Sequence, residues 1–117
     1  MAEPAEAVRR YHDAINRLDY QALDDFFAQD AVYVSNGIGT VSGKEAILAS
    51  FRAYFAEYPD QVAVDDLIEN ISAVEARSVW RLAATSARTG QPLIRSGEEI
   101  VRLDAEGRIE RVYVRDL

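Results

Sequence analysis

The spacing of apolar residues changes once along this chain, at Pro59, and that change restricts the fold more than any other feature. Before Pro59, apolar residues recur every three or four positions, as in amphipathic helices. After it, they alternate with a period of two, which indicates strands. A chain that places its helices first and its strands later is predicted to have an α+β fold.

Three helices are predicted before Pro59. The first covers residues 4–18, and its buried stripe consists of Val8, Tyr11, Ile15 and Leu18. Asp19 can cap the second helix through its side-chain oxygen, and the apolar side of that helix is formed by Leu23, Phe26 and Phe27. A short strand over residues 31–34 and a turn precede the third helix, which begins at Gly43 and carries an aromatic face.

Four strands are predicted after Pro59, over residues 62–72, 73–88, 92–104 and 108–116. Short turns join them, so consecutive strands must be antiparallel. Strands of this length in a chain of 117 residues have to twist and curl, and curling around the helices would enclose a pocket. We expect residues 1–117 to form a single domain.

The composition argues against several classes of partner and of binding site. The net charge of −7 would repel nucleic acid and anionic membrane surfaces. The absence of cysteine removes disulfides, thiolate ligands and cysteine nucleophiles, and one histidine cannot form a multi-histidine metal site, so we expect no metal and no cofactor. No segment approaches the roughly 20 apolar residues of a membrane span, and a cytoplasmic location is expected.

Several motifs resemble one superfamily. They are RYHDAINRLD at residues 10–19, FFAQDAVY at 26–33, SGKEAI at 42–47 and the acid-bearing strand 99–103 with its following turn. These segments are similar to the nuclear transport factor two-like superfamily, which includes ketosteroid isomerase and the SnoaL-like cyclases. The resemblance covers almost the whole chain. It implies three helices packed in the concave face of a strongly curved, mixed, mainly antiparallel sheet, a cone-shaped α+β barrel.

The resemblance to ketosteroid isomerase implies three groups in the pocket. The tyrosine of the first helix falls on Tyr11, which would donate a hydrogen bond to a carbonyl that becomes an enolate. The acid of the penultimate strand falls on Glu99, which in an apolar pocket would stay protonated as a second donor. The base falls on Ser35 or Asn36, and neither can take a proton from carbon near neutral pH. Isomerase chemistry of that kind therefore lacks its base here.

Two other residues are candidates for the base. His12 lies close to the apolar stripe of the first helix and can face the pocket with a pKa near neutrality, or else sit at the helix edge against a carbonyl or water. Asp116 shares its parity with Val112 and Val114, which places it either at the pocket rim or on a frayed chain end. Two further carboxylates, Asp65 and Asp66, are expected to be solvated surface charges.

Strand parity gives a predicted pocket lining. Trp80 and Leu82 alternate with Val79 and Arg81, so the indole and the leucine lie on one side of a strand. The full predicted lining is Ser35, Asn36, Phe51, Tyr54, Phe55, Tyr58, Trp80, Leu82, Val101, Val112 and Val114. Core packing is the alternative for the aromatic members of this set.

The outer face of the sheet is expected to carry a set of cations and one tyrosine. They are Arg81, Arg95, Arg102, Arg111, Arg115 and Tyr113. The resemblance implies that two protomers pair through this face, which would give an isologous homodimer.

Together these features predict a small-molecule-binding domain. Its ligand would be an apolar, carbonyl-bearing ring compound, and it would act without a cofactor as an isomerase, dehydratase or cyclase. The alternative is a non-catalytic ligand carrier or association module, which the missing base favours. A weaker resemblance to limonene epoxide hydrolases depends on Tyr33 and Ser35, and no acid pair is evident at matching strand positions.

Overall fold

The computed structural model describes residues 3–35 and 39–117, which form three helices and a six-stranded sheet. The helices are α1 (Pro4–Asn16), α2 (Tyr20–Phe26) and α3 (Lys44–Glu57). The strands are β1 (Phe27–Ser35), β2 (Gly39–Ser42), β3 (Val62–Asn70), β4 (Glu75–Thr85), β5 (Pro92–Leu103) and β6 (Ile109–Asp116).

The strands follow the order β2-β1-β6-β5-β4-β3. Strand β1 pairs with β6 in parallel, and all the other neighbours in this sheet are antiparallel. Helix α1 packs across β3, β4 and β5, while α3 packs against β1 and β2. The predicted cone-shaped α+β arrangement is confirmed, with the sheet open at β2 and β3 rather than closed into a barrel.

The first two helices meet at a tight turn. Helix α1 ends at Asn16, two residues earlier than predicted, because Leu18 adopts a left-handed conformation with φ 54°. The N–H of Asp19 then donates to the carbonyl oxygen of Ala14. The predicted cap is present, since the Asp19 carboxylate accepts a hydrogen bond of 3.1 Å from the N–H of Ala22.

Strand β1 is longer than its sequence pattern predicted. Phe27 was assigned to the second helix, but it is the first residue of β1 and pairs with Ile109 of β6. The register is irregular before the next pair, Val32 with Arg111. This parallel pairing joins residues far apart in the chain, so the local pattern around Phe27 does not reveal it.

The alternation predicted for β4 is confirmed, because Trp80, Leu82 and Ala84 are all buried on the inner face. One assignment to the outer face is wrong. Arg95 of β5 lies opposite Leu82, and it therefore points inward. Arg95 and Arg102 are seven residues apart on one strand, an odd number, so they cannot share a face.

Over the two stretches that the structure describes, the three helices all fall short of the length and apolar character that a transmembrane helix needs.

Candidate functional site

A cavity of about 360 Å³ lies between the helices and the inner face of the sheet. Its wall is mainly apolar, and it includes Ile15, Phe51, Phe55, Trp80, Leu82 and Val114. The aromatic rings contact one another: Phe51 lies 5.6 Å from Tyr33 in an edge-to-face arrangement and 6.0 Å from Phe55, measured between ring centroids. Such a wall suits a flat apolar ligand.

The polar groups of the wall form two clusters. The first joins α1, β3 and β5 through His12, whose Nδ1 lies 2.8 Å from Oδ1 of Asp65 and whose Nε2 lies 2.5 Å from Oε1 of Glu99. All three side chains are largely removed from solvent, with 12% of His12, 21% of Asp65 and 6% of Glu99 exposed. We call this set the Asp65–His12–Glu99 chain.

Strand alternation places Asp65 on the inner face. It has the same parity as Ala63 of the cavity wall and lies opposite Trp80, and the pairing of β3 with β4 shifts register only after it, between Asp65 and Leu67. Asp66 then points outward, where its carboxylate binds Arg81 at 2.8 Å. The prediction that Asp65 is a surface charge is wrong, whereas it is correct for Asp66.

The charge of His12 follows from its two partners. Burial lowers the pKa of His12, but the negative charge of Glu99 and the hydrogen bonds to Asp65 and Glu99 outweigh burial and raise it to about 10. The imidazole is therefore protonated at neutral pH, and it donates one N–H to each carboxylate. The two carboxylates therefore favour a higher pKa for His12 than the near-neutral value expected from the sequence, and a ring that donates from both nitrogens has no free lone pair with which to act as the base.

This arrangement also bears on metal binding. Both ring nitrogens of His12 are engaged by carboxylates. Within residues 3–35 and 39–117, no group of three or more His, Cys, Asp or Glu side chains is arranged to hold a metal ion.

The second polar cluster lies nearer the start of β5. Nη2 of Arg95 is 2.7 Å from Oδ1 of Asp116, and its guanidinium lies 5.3 Å from the centroid of a Trp80 ring. Gly97 stands between Arg95 and Glu99 on the same face, opposite Trp80. A Cβ at Gly97 would overlap the indole, so the glycine is what allows Trp80 to lie flat across β5.

Comparison with known proteins identifies the family. The family model described as SnoaL-like domain matches residues 8–112, almost the whole chain. The chain belongs to the SnoaL-like domain family. It is thus a member of the nuclear transport factor two-like superfamily, as the sequence motifs predicted. No curated protein sequence matches it significantly.

Solved structures share the fold of this SnoaL-like domain. An NTF2-like protein of unknown function from Exiguobacterium sp. 255-15 is 24% identical, with a TM-score of 0.81 over 95% of this chain and 98% of that one. IdmH, a putative polyketide cyclase from Streptomyces antibioticus, is 19% identical, with a TM-score of 0.85 over 98% and 92%. An LEH-like epoxide hydrolase from M. tuberculosis is 15% identical, with a TM-score of 0.83 over 97% and 82%.

Many of the residues predicted from the sequence line the cavity of the SnoaL-like domain. They are His12, Ser35, Phe51, Tyr54, Phe55, Trp80, Leu82, Glu99, Val114 and Asp116. Asn36 lies outside the residues that the structure describes.

Tyr11 does not line the cavity and does not meet Glu99. Its side chain is fully buried in the core against Phe27, at 5.6 Å between ring centroids. In the described part of the chain its hydroxyl has no hydrogen-bond partner. Neighbours on a helix point about 100° apart, so when His12 faces the cavity Tyr11 faces the core. The role predicted for Tyr11 as a donor to substrate is wrong.

Glu99 also differs from its predicted role as a protonated donor. Its Oε1 accepts a hydrogen bond from the protonated ring of His12, so this oxygen is paired with a cation of the protein. A cation beside Glu99 could not be predicted from the sequence, because His12 and Glu99 are 87 residues apart.

Three predicted lining residues lie elsewhere. Val101 and Val112 pair with each other across β5 and β6 and are buried in the core beneath α1. Tyr58 follows the last residue of α3 and stacks on Tyr54 instead of reaching the cavity.

Tyr33, like Tyr54, does reach the cavity. Burial, and next the charge of Glu99, raise its pKa, so the phenol keeps its proton and can donate a hydrogen bond. Its parity with Ser35 on β1 was a signal in the sequence that could have found it. Asp65 and Arg95 were also missed, the first because alternation alone does not say which of two adjacent aspartates points inward and the second because of the parity error.

Proposed function

We propose that this SnoaL-like domain is a cofactor-independent acid–base enzyme that rearranges or cyclises an apolar, carbonyl-bearing ring compound. The observation that carries the proposal is the Asp65–His12–Glu99 chain at the wall of an apolar cavity. Glu99 replaces the missing base at Ser35, because it is a carboxylate that faces the ligand space.

The chemistry begins with removal of a proton from carbon. Glu99 takes the proton from the carbon next to the substrate carbonyl, and the C–H electron pair moves into the carbonyl to form an enolate. The phenol of Tyr33 donates a hydrogen bond to the enolate oxygen as its charge develops. His12, held from behind by Asp65, keeps the Glu99 carboxylate in one orientation.

Two outcomes of this enolate fit the family. In an isomerisation, Glu99 returns the proton to a different carbon of the same system. In a cyclisation, the enolate carbon bonds to a second carbonyl carbon of the same molecule, and the proton passes from Glu99 to the resulting alkoxide. Proteins of similar structure include IdmH, a putative polyketide cyclase, and SalBIII, an epoxide hydrolase/cyclase-like enzyme with a role in pyran ring formation. This likeness supports the proposal.

Deuterium exchange tests the proposed base without knowledge of the natural substrate. The bicyclic ketone 2-tetralone has exchangeable protons next to its carbonyl, and exchange in D₂O can be followed by proton NMR. The wild-type domain is expected to accelerate exchange, and Glu99→Gln is expected to reduce the acceleration by about 100-fold or more, since a general base contributes at least that much. Glu110→Gln, which alters an outward carboxylate paired with Arg102, is the matched control.

Equal acceleration by the wild type and Glu99→Gln would remove Glu99 as the base. Binding of the ketone with no acceleration in either protein would leave the ligand-carrier alternative.

A further inference from the structure

Arg95 is a cation in the wall of a cavity that is otherwise mainly apolar. Only 27% of its side chain is exposed. Burial lowers the pKa of Arg95, but Asp116 and Tyr54 together outweigh burial and raise it, so the guanidinium is charged. It lies against Trp80, which fixes its plane. A buried arginine costs desolvation energy, and the proposed chemistry at Glu99 does not use it.

The partners of Arg95 leave donors free. A guanidinium has five N–H donors. Asp116 accepts one of them at 2.7 Å, and among the described residues the hydroxyl of Tyr54 in the same wall makes no hydrogen bond. The carboxylate of Asp116 is 52% exposed, so its ion pair with Arg95 is weak enough for a ligand to displace or join. The remaining N–H groups are available to a group with two acceptor oxygens.

We propose that Arg95 is the anchor for a carboxylate or another acidic oxygen pair on the substrate, at the end of the cavity opposite Glu99. Arg95 and Glu99 share one face of β5 and are four residues apart, which corresponds to roughly 13 Å along a strand. Trp80 lies between them across Gly97. A flat compound of two or three fused rings, with an acid at one end and a reactive carbonyl at the other, spans that distance. This inference depends on the proposed function for the role of Glu99, but the anchor itself is tested by binding alone.

Trp80 makes the test direct, because it is the single tryptophan of the chain and lines the cavity. Its fluorescence reports occupancy, and calorimetry gives an independent affinity. The two probes are 6-acetyl-2-naphthoate and its neutral analogue 2-acetylnaphthalene, which differ by the carboxylate. The wild type is expected to bind the acid at least tenfold more tightly than the neutral ketone, as a bidentate pair with arginine predicts.

Substitutions then assign the preference to Arg95. Arg95→Gln is expected to lose the preference for the acid while it retains the affinity for the neutral ketone. Arg81→Gln, which alters an outward arginine bound to Asp66, is the control and should behave as the wild type. Asp116→Asn removes the competing carboxylate, so it should bind the acid more tightly than the wild type does. This second variant keeps the test decisive if Arg95→Gln does not fold.

Three results would overturn the anchor: equal affinity of the wild type for both probes, an acid preference that survives in Arg95→Gln, or weaker acid binding by Asp116→Asn. Failure of both probes to bind the wild type would count against the anchor and the ligand pocket together. The exchange of 2-tetralone, a neutral ketone, depends on Glu99 and not on Arg95. A domain that exchanges 2-tetralone but ignores the carboxylate keeps the proposed function and loses the anchor.

Discussion

Gly97 shows how one residue shapes this cavity. A methyl group at that position would overlap the Trp80 ring and lie 2.7 Å from the carbonyl oxygen of Arg115. The indole is a large side chain held by packing, and the carbonyl belongs to the neighbouring strand β6, so neither can move aside without strain. The absence of a side chain at Gly97 therefore leaves room for the Trp80 indole between the two polar clusters.

Gly97→Ala is expected to destabilise the domain by roughly 1–3 kcal/mol, the usual cost of overpacking a filled site. Urea unfolding measures this loss, and the emission of Trp80 should change because the indole is displaced. Ser96→Ala, at the adjacent position on the opposite face of β5, serves as the control. An unchanged unfolding midpoint in Gly97→Ala would show that the indole has room that the structure does not indicate.

How well each site residue could be predicted from the sequence depends on the strand or helix that carries it. Alternation placed Trp80, Leu82 and Val114 on the cavity side, because a period of two is a local property of a strand. Asp65 could not be placed in this way, since alternation alone does not say which of two adjacent aspartates points inward. Helix α1 was predicted correctly as an element, but sequence spacing did not separate the core direction of Tyr11 from the cavity direction of His12.

Contacts between residues far apart in the chain could not be predicted from local sequence patterns. His12 and Glu99 were both candidates from the sequence, yet they are 87 residues apart, and their contact depends on how α1 crosses β5. The parallel pairing of β1 with β6 was missed for the same reason. The order of elements and the mixed, mainly antiparallel sheet were predictable from local patterns and from motifs of the family.

For the molecule as a whole, pairing of two protomers through the outer face of the sheet stays a prediction. That face carries exposed apolar side chains beside its ion pairs, notably Ile94, which is 82% exposed, and Tyr113. Exposed apolar area of this kind favours burial in an interface. Sedimentation equilibrium at micromolar concentration is expected to give twice the protomer mass, and Ile94→Asp is expected to reduce it. A wild type with the mass of one protomer would contradict the dimer.

The Asp65–His12–Glu99 chain is a property of the whole cavity, because α1, β3 and β5 together bring His12 between two carboxylates. Since His12 is the single histidine, its ring gives one set of NMR signals that can be followed without ambiguity. A ¹⁵N titration measures its pKa directly.

Both ring nitrogens are expected to stay protonated through neutral pH, with a midpoint near 10, far above the ordinary value of 6.5. In Glu99→Gln the midpoint should fall, because the largest source of the upward shift is removed. A wild-type midpoint close to 6.5, unaffected by Glu99→Gln, would contradict the Asp65–His12–Glu99 chain.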